Sequence, residues 1–181
     1  METRILVAYA SKSGTAAEVA QAVGRALPGK SVAVDVRPAQ EVSSLDGYQA
    51  VVIGSGVRVG RWLPQAVEFV RKHEAQLRQV STALFTVHML WIDDSETSRR
   101  NRQAYSAPVR EIITPKTEAF FAGRIEMARL SFMERVMTKA VRAPEADSRD
   151  RDAIRAWAEG LLSALGSTHE LAPQTELGQM S

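Results

Sequence analysis

The chain has 181 residues, 45% apolar and 24% charged, with a formal net charge of +2 and an isoelectric point near 9.1, the composition of a single globular domain with a sizeable core. It contains no cysteine, which excludes a disulfide framework and any thiolate nucleophile. No apolar run approaches the roughly 18 residues that would span a bilayer, and no apolar leader follows the start, so a cytoplasmic protein is expected.

Arg4-Ile5-Leu6-Val7-Ala8-Tyr9 is an apolar run of strand length. Val19, Ala20, Val23 and Leu27 then recur at helical spacing as far as Pro28-Gly29. Ser31 to Val36 alternates apolar and polar residues, as a strand near a sheet edge does. Gln49 to Gly54 is continuously apolar, the pattern of a strand buried on both faces. Pro64 to Leu77 predicts a helix with Val67, Val70 and Leu77 inward, and Ala83 to Val87 a fourth strand. Asp94 to Arg110 is polar and Arg-rich, helical from about Glu96, and Ala119 to Arg124 is a fifth strand. Arg151 to Leu165 predicts a closing helix whose buried stripe is Ile154, Trp157, Ala158, Leu161 and Leu162. Periodicity stops there, so the expected organisation is one domain over 1–165 and a flexible tail over 166–181. Alternating strands and helices imply an α/β fold, a doubly wound parallel sheet with helices on both faces. Spacing alone does not order the strands.

Tyr9-Ala10-Ser11-Lys12-Ser13-Gly14-Thr15 joins the first strand to the first helix. Hydroxyls and a glycine opening a helix offer backbone N–H groups and the positive end of a helix dipole, an anion site that needs no metal. The plain alternative is an ordinary N-cap. Position favours the anion site, because the turn after the first strand lies at the carboxyl edge of the sheet, where such folds bind ligands. The loop resembles the FMN-phosphate loop of flavodoxins: Ser11, then Gly14, after an apolar strand that ends in an aromatic. Where that family has Thr two residues after the glycine, this chain has Ala16, with Thr15 beside it. The resemblance implies a five-stranded sheet in the order 2-1-3-4-5 and FMN as cofactor. Its phosphate would be bound by Ser11, Lys12, Ser13, Gly14, Thr15 and Ala16.

The second loop, Gly54-Ser55-Gly56-Val57-Arg58-Val59-Gly60-Arg61-Trp62, has glycines in a spacing that does not fit a dinucleotide fingerprint. Its glycines are expected to let the backbone pass close to a flat ligand. Gly56, Val57, Val59 and Trp62 would supply surface, and Arg58 or Arg61 a charge that raises a flavin's potential. Trp62 reads equally as a residue packed where the next helix starts at Pro64. The third loop is Thr86-Val87-His88-Met89-Leu90-Trp91. Thr86, Val87, His88 and Trp91 are expected to flank the same crevice, His88 bonding the flavin or passing a proton. The alternatives are a structural histidine and a tryptophan that covers the core. No residue is assigned a catalytic role, and no metal cluster is read.

Val51 to Gly60, a helix containing Glu68-Phe69-Val70-Arg71-Lys72-His73, and Phe121-Ala122-Gly123-Arg124-Ile125 followed by Phe132 to Lys139 are similar to the flavodoxin-like, menaquinone-dependent protoporphyrinogen oxidases of bacteria. The likeness runs over about residues 4–162. It implies an FMN oxidoreductase acting on a porphyrinogen with a quinone acceptor. The rival is a flavodoxin-like electron-transfer or binding module with a redox partner protein and no substrate of its own. Small shuttles of this fold are strongly acidic, and the +2 charge argues against that role. Arg129 to Arg142 projects as an amphipathic helix, Leu130, Met133, Val136 and Met137 on one face and Arg135, Lys139 and Arg142 on the other. It reads either as a peripheral membrane contact on the inner face of the cell membrane or as a helix packed on its own domain. Arg99-Arg100-Asn101-Arg102 is not interleaved with aromatics and stands beside Asp93, Asp94 and Glu96, so nucleic-acid binding is not expected.

Overall fold

The computed structural model describes residues 2–27, 29, 31–90, 93–123 and 148–166. In chain order they form β1 (Thr3–Ala10), α1 (Thr15–Ala26), β2 (Val32–Pro38), a 3₁₀ turn (Ala39–Glu41), β3 (Ala50–Arg58), β4 (Arg61–Trp62), α2 (Pro64–Lys72), α3 (Glu74–Leu77), β5 (Ser81–His88), α4 (Glu96–Tyr105), α5 (Ala107–Arg110), β6 (Thr117–Ala122) and α6 (Ser148–Leu165). The five long strands pair in parallel in the order β2-β1-β3-β5-β6, and β4 folds back antiparallel on the end of β3. With β4 set aside, this is the expected order 2-1-3-4-5. The chain leaves β1 first toward β2 and then crosses to β3 on the other side. The switch point, and with it the natural crevice, lies at the carboxyl ends of β1 and β3.

Strand parity divides the core in two. Ile5, Val7, Val52, Phe85, Val87 and Phe121 point to one face, where Val19, Ala20 and Val23 of α1 and Ile154, Ala158 and Leu161 of α6 cover them. Leu6, Ala8, Val51, Ile53 and Leu84 point to the other, under Ala66, Phe69 and Val70 of α2, Tyr105 of α4 and Val109 of α5. Burying each large aliphatic side chain contributes about 1.5–3 kcal/mol. Trp157 is partly buried and packs on Phe121 and Phe85, with ring centroids 5.7 and 6.3 Å away. Gly54 is required by this packing, because a Cβ there would stand 1.8 Å from the Phe85 ring.

The long helices expected over 64–77 and 96–110 are each two pieces. The first breaks at His73, whose backbone (φ −107°, ψ 16°) leaves the helical region. Its ring is buried between Phe69 and the Val42 carbonyl. The second breaks at Ser106, just before Pro108. A proline there has no N–H for the helix ladder, and its ring clashes with the carbonyl four residues back. β3 extends to Arg58, four residues beyond the expected strand end, and β4 was not anticipated. The fifth strand ends at Ala122; Arg124, the amphipathic segment 129–142 and the tail from 167 lie outside the described residues.

Candidate functional site

The carboxyl ends of β1, β3, β5 and β6 open onto one crevice, with about 550 Å³ of space counted out to open solvent. From the first loop it is lined by Ser11, Lys12, Ser13, Thr15 and Ala16, and from the second by Gly56, Val57 and Arg58. Leu63, Val87, Met89 and Gly123 complete the wall.

The first loop is shaped by its own hydroxyls and glycine. Gly14 sits at φ 90°, a left-handed conformation that glycine adopts without steric cost, and caps α1. Its N–H donates to Ser11 Oγ at 3.1 Å, which leaves the Ser11 hydroxyl proton available to a ligand. Ser13 Oγ and Thr15 Oγ1 lie 3.4 Å apart. Glu18 N donates to Gly14 O at 3.0 Å, the first bond of the helix ladder. The N–H groups of Ala16 and Ala17 therefore belong to the first turn, which has no intrahelical acceptors. Lys12 and Arg58 bring positive charge to the lining, and among the described residues no carboxylate lines it.

The second loop is held from behind. Ser55 is fully buried; its hydroxyl donates to Gly56 O at 2.7 Å and accepts from Leu63 N at 3.0 Å. This fixes Gly56 to the start of α2. A Cβ on Gly56 would stand 3.8 Å from Leu63 Cδ1 and 3.9 Å from the Ala16 methyl, inside the crevice wall. Beyond Gly56 the chain turns back through Val59 (φ 51°) and Gly60 (φ 70°), pairing Arg58 with Arg61 and Val57 with Trp62.

Not every expected residue lies on the crevice. Trp62 is 3% exposed and gives its indole N–H to Thr86 Oγ1 at 2.8 Å, so these two hold β4 to β5 inside the second core layer. His88 is buried as well, its ring beside Tyr105 and Phe120. Its Nδ1 donates to Leu90 O at 2.7 Å. Burial lowers the pKa of His88 below its ordinary value, the positive charge of Arg102 adds to this, and the Leu90 bond opposes it. A neutral, enclosed imidazole of this kind fits the structural alternative. Val59 stands at the hairpin tip, outside the lining, and Trp91 lies outside the described residues. Leu63 and Gly123 were not anticipated, and Met89 belongs to the third loop expected to flank the crevice. Gly123 was legible as the residue closing the last strand; its N–H donates to His88 O at 2.7 Å. Among the described residues no cluster of His, Cys, Asp and Glu could hold a metal ion, and no helix is long and apolar enough to cross a membrane.

The flavodoxin domain family matches residues 6–152. The chain is 23% identical over 160 residues to the protoporphyrinogen IX dehydrogenase (quinone) of Escherichia coli K12, covering 85% of this chain and 88% of that one. It is 24% identical over 162 residues to the protein of the same name from Leishmania major, covering 86% and 70%. Among solved structures it is similar to a flavodoxin from the domain Archaea, with a TM-score of 0.57 at 16% identity over 90% of this chain and 99% of that one. A flavodoxin of Streptococcus pneumonia TIGR4 gives 0.55 at 13% identity over 89% and 99%. At these identities the structural likeness speaks for the fold.

Proposed function

The chain belongs to the flavodoxin domain family, and we propose that it is an FMN-dependent oxidoreductase that passes hydrogen from a porphyrinogen to a quinone. The observation that carries the flavin reading is the joining of two features at the sheet's switch point. One is a hydroxyl-lined helix start, and the other is an apolar crevice walled by Gly56, Val57, Leu63, Val87 and Met89. FMN supplies reversible electron and hydride transfer when bound; the protein's part is to hold and tune it.

Ser11, Ser13 and Thr15, with the N–H groups of Ala16 and Ala17, are the groups that would bind the phosphate, Lys12 adding charge. Val57, Leu63, Val87 and Met89 offer apolar surface to a flat ring, and the Gly56 backbone gives it room. A guanidinium at Arg58 favours negative charge on the ligand and so raises its reduction potential by Coulomb attraction. The substrate pair rests on the two dehydrogenase relatives. A lipid-soluble acceptor is also consistent with the amphipathic pattern of residues 129–142.

The purified protein should carry the absorption spectrum of an oxidised flavin and release FMN on denaturation. It should oxidise a porphyrinogen under anaerobic conditions only when a quinone is present. Bound flavin with no turnover of any porphyrinogen–quinone pair, beside rapid exchange with a reductase, would sink the substrate assignment and leave an electron-transfer module.

A further inference from the structure

We propose that His88, held as a neutral imidazole, is the positioning residue that keeps Met89 on the crevice wall, and that uptake of a proton by the ring releases this wall. The ring is 3% exposed and stands outside the crevice lining. Its Nδ1 lies 2.7 Å from Leu90 O. A carbonyl oxygen only accepts, so Nδ1 carries the hydrogen of the neutral ring and Nε2 the lone pair. The bond spans Met89 and closes the turn at the end of β5. Met89 is thereby laid over the end of β6. A Cβ on Gly123 would stand 3.6 Å from Met89 Cγ and 3.0 Å from Val87 Cγ1, and all three residues line the crevice. The buried Gly123 N–H closes the arrangement by donating to His88 O.

The surroundings accept the ring neutral and oppose its charge. Tyr105 of α4 and Phe120 of β6 enclose it, with ring centroids 6.0 and 6.3 Å away. Tyr105 is itself buried, which raises its pKa and keeps the phenol neutral. Arg102 of α4 brings a positive charge that acts on the imidazole. Its guanidinium donates to Asp93 O at 2.7 Å and stands 3.6 Å from the Asp94 carboxylate. The Asp93 carboxylate turns instead to Ser95 N. Glu118, further down the same face of β6, is taken up by Ser106 and Arg110. Among the described residues no carboxylate bonds the ring and no acceptor meets Nε2.

A proton at Nε2 therefore adds charge to an enclosed space beside a guanidinium. For the ring to reach water, the turn at Met89 and Leu90 must lift, and His88 O leaves Gly123 with it. In water the imidazole titrates at its ordinary value of about 6.5, and in place it titrates lower. The released form thus binds the proton more tightly. Release is independent of pH well above about 6.5 and grows as pH falls below it toward the lowered value. This hold belongs to the protein alone; its consequence for a ligand rests on the flavin reading of the crevice.

Amide hydrogen exchange at Gly123 in the full chain, corrected for intrinsic rates, tests the hold at pH 7.5 and pH 5. Wild type should lose protection there by about tenfold on acidification, while amides in the middle of β3 keep theirs. One group that titrates near 6.5 when released allows at most about thirtyfold. His88→Asn puts a neutral N–H donor where Nδ1 stands and should keep protection at both pH values. His88→Leu removes the donor and should lose protection at both. FMN titrations follow the consequence. Wild type should match His88→Asn at pH 7.5 and bind about threefold or more weakly at pH 5, a ratio that cancels the titration of the phosphate itself. Exchange at Gly123 that acid leaves unchanged overturns the proposal. So does equal acid sensitivity in wild type and His88→Asn, which would place the titrating group elsewhere. Wild type that takes up no flavin at either pH, with acid-dependent exchange at Gly123 intact, would support the hold and sink the flavin reading.

Discussion

Trp62 gives its indole N–H to Thr86 at 2.8 Å in a place neither side chain shares with water. A buried donor that loses its acceptor bears the desolvation cost in full. Thr86→Val, which keeps the shape and removes the acceptor, should therefore destabilise the fold by about 1–3 kcal/mol in urea denaturation. Trp62→Phe made on top of it should cost less than the two single changes summed, because no orphaned donor remains. Strict additivity would show that the bond contributes nothing. The same pair shows what a sequence displays at this scale. An aromatic just before a helix-starting proline can cover a ligand or fill a core, and composition does not choose. Thr86, Val87 and His88 were legible in a stricter sense, since successive side chains of a strand point to opposite faces. Val87 lines the crevice with the α1 side of the sheet, and Thr86 and His88 accordingly lie among the groups on the other side.

Elements were legible wherever apolar periodicity was undisturbed, as in α1 and α6, and their interruptions were not. The apolar spacing of Val70 and Leu77 runs straight through His73, whose break is set by tertiary contacts to Val42 and Phe69. Pro108 was the readable signal for the break between α4 and α5. That break has a use: it turns Ser106 inward, fully buried, to donate its hydroxyl to the Glu118 carboxylate of β6, with Arg110 Nε 3.8 Å from the same group. Burial raises the pKa of Glu118, while the Ser106 bond and Arg110 pull it back. The folded protein thus holds this proton more tightly than the unfolded chain, and the stability so gained is present in acid and lost as pH rises through the folded pKa. Ser106→Ala removes a donor from the charged form and raises that pKa further. Its cost should be small near pH 4 and reach about 1.5–3 kcal/mol at pH 7, the range for a bond to a charged group. Urea unfolding at both pH values measures the difference, and a deficit independent of pH would mean that the hydroxyl supports packing and not the carboxylate.

At the scale of the molecule, alternation of strands and helices announced a doubly wound sheet, while strand order came only from the flavodoxin resemblance, since pairing partners leave no mark on spacing. The crevice follows from that order: no single loop makes it, and β1, β3, β5 and β6 each contribute an end. A ligand seated there ties four strands together and binds only the folded chain, so it stabilises by mass action. With free FMN about a hundredfold above its Kd the gain is about 2.7 kcal/mol, a rise in Tm of roughly 5–10 °C for a domain of this size. Riboflavin, which lacks the phosphate, should raise Tm less at the same concentration, because it forgoes the charge-assisted bonds of the first loop. Ser11→Ala combined with Thr15→Ala should bring the FMN shift down to the riboflavin shift and leave the riboflavin shift unchanged. Thermal scans of wild type and the double variant with each ligand decide the matter. Equal shifts by the two ligands in wild type would remove the phosphate from this loop, and a gap that survives the double variant would assign it to the backbone N–H groups of α1 and to Lys12.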